Sequence, residues 1–114
     1  MSTTPLTPIV FNFSVTTAWS TAYTVPDTSS SVGIDAVVFN NYTSNSESFS
    51  VRLIQAGVAS ELNEIITDKN VRKASNDLAP AMVGQSLVKG GRIEVKASAN
   101  NAINLNITAT LVSI

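Results

Sequence analysis

Serine is the one abundant nucleophile in this chain, and the usual base is missing: the 114 residues contain no histidine, and no cysteine to act instead. A serine–histidine triad and thiol chemistry are therefore both excluded. Paired carboxylates could still cleave a glycosidic bond, and Glu61 with Glu64 is the only close pair. Two acids on a loop of an acid-poor chain are more economically read as solvated. Asp35 lies inside an apolar stretch, where a partly buried, hydrogen-bonded role is expected rather than catalysis. No catalytic residue is expected.

Metal and phosphate chemistry fare no better. Soft and borderline metal sites need histidine or cysteine, and "DKN" at Asp68 has neither the ligand repeat nor the glycine of a calcium loop. "KGGR" from Lys89 to Arg92 has neither the spacing nor the following helix of a phosphate cradle, so it is expected to join two strands. Lys69, Arg72 and Lys73 form the one local basic cluster, with no aromatic interleaved, and read as a solvated face rather than a nucleic-acid contact. No cofactor, metal, nucleic acid or membrane is expected as a partner. The residues left for recognition are aromatic. Trp19, Tyr23 and Tyr42 could stack on a sugar, although a single tryptophan beside a strand is more often a core or interface anchor. Phe11 and Phe13 share one strand face, to be buried in the core or under a neighbour.

What must position these residues is a set of short strands. From Arg92 to Val112 the apolar residues Ile93, Val95, Ala97, Ile103, Leu105, Ile107, Ala109 and Leu111 all fall on odd numbers, with polar residues between them. That period of two places one set on a core and the other in water. If the two halves pair as a hairpin, matching faces require an odd loop; Asn100, Asn101 and Ala102 supply one, with Ala99 opposite Ile103 and an asparagine for the left-handed position. Upstream, Val32, Ile34, Ala36 and Val38 share one face of a strand while Val37 and Phe39 take the other, so that strand is oily on both sides. Phe49, Val51 and Leu53 face inwards in the next strand. "TAYTVP" is a short strand ended by Pro26, "DTSSS" a solvated loop, and "LAPAMVGQSLVKGG" two short extended pieces. The segment 61–77 fits a short strand or irregular loop better than a helix. Seven to eight short strands with frequent turns indicate an all-β fold, an antiparallel β-sandwich or jelly-roll-like domain over 9–114, preceded by a flexible arm over 1–8.

Composition narrows the setting. Only 13% of residues are charged, about half the usual share of ~25%, and the formal net charge is −1. Such a surface steers neither towards nucleic acid nor towards anionic lipid, so partners must be met by shape and hydrogen bonds. The opening residues lack the basic region and apolar run of a signal peptide, and no segment approaches a membrane span, so synthesis and folding in a cytoplasm are expected.

The order of the pieces carries a resemblance. "STAYTVPDTSSSVGIDAVVFNNYTSNSESFSVRLI" and "LVKGGRIEVKASANNAINLNITATLV" resemble the opening and close of small phage virion proteins: a Tyr-Thr-Val-Pro strand, a polar gap, a hydrophobic strand ending in Asn, a Ser/Thr-rich turn, and two alternating strands around an Asn-containing turn. Such proteins are capsid decoration (cement) or fibre-associated components, β-sandwiches that commonly assemble as trimers. The resemblance implies a non-enzymatic structural protein located in the virion and bound to itself and to the major capsid protein or another virion protein. A tail or head-fibre component and a carbohydrate-binding module are the alternatives.

The two-faced strand points to the same kind of assembly. An apolar second face must be covered, and a closed ring of three copies would do so without leaving an open end. The interface residues expected on this reading are Phe11, Phe13, Trp19, Val37 and Phe39.

Overall fold

The computed structural model describes residues 6–55, 59 and 61–113. Among the described residues, nine strands run in the order β1 (Leu6–Ser14), β2 (Ser20–Thr24), β3 (Ser29–Asn41), β4 (Glu47–Ile54), β5 (Glu64–Val71), β6 (Ser75–Asp77), β7 (Ser86–Val88), β8 (Arg92–Ala97) and β9 (Ile103–Ser113). A 3-10 turn, Glu61–Asn63, precedes β5. The strands form two antiparallel sheets: β1-β9-β3-β6, with β7 also on β3, and β2-β8-β4-β5. They stack face to face as a sandwich measuring 54 × 27 × 19 Å. The fold is all-β, as the alternation requires.

The odd-numbered residues of β8 and β9 meet between the sheets. Ile93, Val95, Ile103, Leu105 and Ile107 are all buried there, with Val51, Leu87 and Met82. At the centre Phe39 of the first sheet stacks on Phe49 of the second, ring centroids 3.8 Å apart and nearly parallel. Both rings are fully enclosed, and each such burial contributes on the order of 2–3 kcal/mol of apolar transfer.

The hairpin expected between Ala99 and Ile103 does not form, because β8 and β9 belong to different sheets. The chain arches across the sandwich instead, held by the Asn101 N–H to the Val15 carbonyl at 3.2 Å and the Ser98 N–H to the Ser48 carbonyl at 2.9 Å. Alternation states which face of a strand is buried but not which strand lies beside it. In a sandwich both inner faces point at one core, so a hairpin and an arch satisfy the same parity. The left-handed asparagine is present all the same: Asn101 has φ 58°.

The second correction concerns β3. Ile34 pairs with Ala109 but Ala36 pairs with Thr108, so Asp35 is an extra residue in the strand. Such a bulge reverses parity along the chain. Val32 and Ile34 face inwards before it, Val37 and Phe39 after it, and all four are buried in one core while Ala36 is exposed. The strand is therefore not oily on both faces. Val37 and Phe39, expected at an interface, are enclosed by their own chain.

Smaller differences follow from pairing that local composition does not reveal. Of the arm expected over 1–8, Leu6, Thr7 and Pro8 are part of β1, opposite Val112, Leu111 and Thr110; residues 1–5 lie outside the described residues. Ser29, expected in a solvated loop, is buried at the start of β3. "LAPAMVGQSLVKGG" supplies one strand, β7, after a turn over 80–84 in which Met82 turns inwards.

Candidate functional site: an uncharged edge strand and a capped tryptophan

"KGGR" is a junction, as its composition suggested. Gly90 adopts φ 79°, a conformation that only glycine takes freely, and a Cβ at Gly91 would meet the Val88 carbonyl oxygen at 2.9 Å and that of Ile54 at 3.1 Å. Asp35, exposed at the bulge, accepts a hydrogen bond from Thr110 Oγ1 at 2.7 Å, which is the hydrogen-bonded role expected of it without the burial. Glu64 accepts a hydrogen bond from Thr67, and the Glu61 side chain lies outside the described residues. Lys69 makes a loose ion pair with Asp77 at 3.9 Å, while Arg72 and Lys73 are exposed. Among the described residues no group of three or more acidic, histidine or cysteine side chains converges on a metal position.

Trp19 and Tyr23 do not form one platform. Tyr23 lies opposite the buried Ile93, so it points to the inner side of its sheet, where it stacks on Phe11 with centroids 4.8 Å apart. Burial there raises the phenol pKa above the ordinary tyrosine value of 10.0. Trp19 sits on the outer side of the same sheet, its ring 4.0 Å from Arg52 Cζ and 5.0 Å from Lys96 Nζ. Such cation–π contacts add about 0.5–1 kcal/mol each at half-exposed sites. Glu94 ties the cluster together, bonded to Arg92 Nε at 3.0 Å and 3.9 Å from Arg52 Nη1. The indole is thus a lid over charges, which the lone tryptophan gave no means of foreseeing. A nearby polar recess of about 160 Å³ includes Ser48, Ser50, Asp68 and Ser98. Its hydroxyls are committed internally: Ser50 Oγ accepts from the Asp68 N–H at 2.9 Å, and Ser98 Oγ from the Ser48 N–H at 2.9 Å.

Asn41 carries a densely connected polar side chain in the interior. Fully buried, it donates through Nδ2 to the carbonyls of Asn45 at 2.8 Å, Val71 at 3.0 Å and Arg72 at 3.3 Å. Its Oδ1 accepts from the Thr43 N–H at 3.0 Å and the Thr43 hydroxyl at 2.7 Å. One side chain therefore pins the arch between β3 and β4 to the end of β5. Sequence reasoning passed over it, although an asparagine two residues before a threonine is the signature of such a turn.

The remaining feature is β1. Among the described residues it pairs only with β9, and its other edge carries no strand there. The Val15 N–H donates to the Ile103 carbonyl at 3.0 Å, and the register runs back from there through Phe13↔Leu105 and Phe11↔Ile107. Backbone groups alternate sides along an antiparallel strand, so the odd residues of β1 face β9. Leu6, Val10, Asn12 and Ser14 turn their N–H and carbonyl groups outwards. Pro8 falls on that outward series, the one place where a missing N–H costs the ladder nothing. The side chains of Ile9, Phe11 and Phe13 are half-buried on the inner side, whereas Leu6 and Val10 are 66% and 77% exposed. No residue from Leu6 to Ser14 is charged.

A comparison with family models finds no match, and a search of curated proteins finds none. Solved structures do share the fold. The chain is similar to one from Bacillus endospore appendages, described as a family of disulfide-linked pili, with TM-score 0.56 and 9% identity over 97% of this chain and 88% of that one. It is also similar to a chain of the IBDV T13 viral particle, with TM-score 0.54 and 9% identity over 97% of this chain. It spans 31% of that viral-particle chain. At such identity the likeness is one of fold.

Proposed function

We propose that this chain is a non-enzymatic structural protein of a phage particle, a capsid decoration (cement) protein that lies on the outer surface of the head against the major capsid protein. The observation that carries the reading is that almost the whole chain shares its fold with part of a viral-particle protein, joined to the resemblance at both ends of the sequence. The physical character of the chain supports it. A sandwich with few charges lets many copies sit side by side, because like-charge repulsion between them stays small. Sheet edges and half-buried aromatics then offer contacts by shape and hydrogen bonding. Cysteine is absent, so these residues cannot make the disulfide linkage named for the pili.

A fibre-associated position in the virion is the second reading, favoured by the likeness to a pilus chain and by the elongated body. A ring of three copies is the assembly that the resemblance implies; the bulge at Asp35 removes the second support for it, a strand oily on both faces, and self-association is argued below from β1. The test is mass spectrometry of gradient-purified particles followed by a fitted density map. The protein is expected in stoichiometric amounts on the head surface. Density at the tail or a fibre would select the second reading, and recovery only from lysate, never from particles, would overturn both.

A further inference from the structure

We propose that two copies of this chain pair through β1, antiparallel about a two-fold axis at Asn12, so that the sheet β3-β9-β1 continues into its mate. This names the self-contact of a structural subunit and rests on that reading. An open edge with outward N–H and carbonyl groups is completed only by another extended backbone. A second β1 fits because the edge is self-complementary and carries no charge that a copy would repel.

The register follows from two boundaries. Pro8 has no N–H to give, and beyond Ser14 the chain leaves the sheet: the Thr16 carbonyl accepts from the Ala97 N–H of the other sheet at 2.8 Å. The outward groups free of both limits are Val10, Asn12 and Ser14. Centring the axis on Asn12 sets Val10 against the mate's Ser14 and Asn12 against its own copy, using every one of these donors and acceptors. Moving the axis to Val10 would bring Pro8 opposite Asn12 and lose a donor in each copy. The same centring makes Phe11 of one chain the cross-strand neighbour of Phe13 of the other. Half-buried rings on the inner side are then covered by equivalent rings, and such pairs add to association beyond their area.

The contact is short, so the free dimer is weak, well below the ~1,600 Å² typical of stable complexes. Sedimentation of the full chain up to about 1 mM should show a reversible monomer–dimer equilibrium. Asn12→Pro deletes an N–H that points away from β9, so it should leave the circular dichroism spectrum unchanged while raising the dimer dissociation constant by about 30-fold, the loss of two hydrogen bonds per dimer. As an independent readout in this cysteine-free chain, Asn12→Cys should give dimers with a short bis-maleimide, and Ser44→Cys on the β3–β4 arch should not. Should Asn12→Pro fail to fold, the cysteine pair decides. A chain monomeric at every concentration, dimers that survive Asn12→Pro, or equal crosslinking at both cysteines would overturn the pairing. A monomer that is still found on particles would sink the pairing and spare the structural reading; Asn12-centred dimers absent from particles would do the reverse.

Discussion

The two long flanks of the sandwich are built on opposite principles. On one side β5 and β6 carry Glu64, Asp68, Lys69 and Asp77, and the β4–β5 pairing is broken by register shifts on either side of Val51. Asp68 has φ 45°, and the recess of about 240 Å³ between the strands is bridged by Lys69 and Asp77. Charges, irregular register and a bent backbone are what keep an edge from acquiring a further strand. On the other side β1 keeps an unshifted register with β9 for nine residues without a charge, and its only interruption is Pro8. If β1 pairs as proposed, the difference teaches that edge protection is selective: one flank is guarded against backbone pairing and the other is available over the few residues between Pro8 and the crossover.

Substitutions can break or sharpen that contrast. The largest effect is expected at the guarded flank. Asn41→Ala leaves the carbonyls of Val71 and Arg72 without their donor, and should cost about 2–3 kcal/mol, read as a lower midpoint in chemical denaturation. At the open flank, Phe11→Ala removes a half-buried ring and its stack on Tyr23. Folding should weaken by about 1–2 kcal/mol, and self-association measured by sedimentation should weaken with it. Lys69→Ala should change stability by no more than about 0.5 kcal/mol, since an exposed pair at 3.9 Å contributes little; its value lies in the second readout, because association should not change either. If dimerisation instead rises on removing that charge, the guarded flank is the one that pairs.

The smallest effect is a pH dependence. Burial raises the Tyr23 pKa, so the folded chain holds this proton more tightly than the unfolded one. Its contribution is fully present below the unfolded value near 10.0 and is lost as pH rises through the folded value. Denaturation midpoints should fall above pH ~10, and Tyr23→Phe should remove that part of the fall.

Much of this architecture was legible in the sequence. The odd-numbered series from Ile93 to Leu111 named the buried face of two strands because apolar alternation is a local property. Their assignment to different sheets was not legible, since a hairpin and an arch make the same demand on side-chain parity. The bulge at Asp35 was hidden for a related reason: one inserted residue changes which side chains face inwards, yet in "IDAVVF" the apolar residues on either side of Asp35 read as one continuous alternating strand. That is why Val37 and Phe39 were expected outside. Asn41 shows the opposite failure, a signal present in the spacing of "NYT" but lost among many similar polar residues. Phe11 and Phe13 were recognisable as one strand face; what they border, an edge bounded by Pro8, depends on β9 coming from the far end of the chain.

The contrast between the flanks is tested most directly by amide hydrogen exchange, residue by residue, at low and high protein concentration. Concentration should slow exchange at Val10, Asn12 and Ser14 by at least tenfold if about nine-tenths of the chain is paired, while the outward amides of β5 stay as they were. Protection that appears along β5, or none along β1 in a sample that sediments as a dimer, would contradict the account.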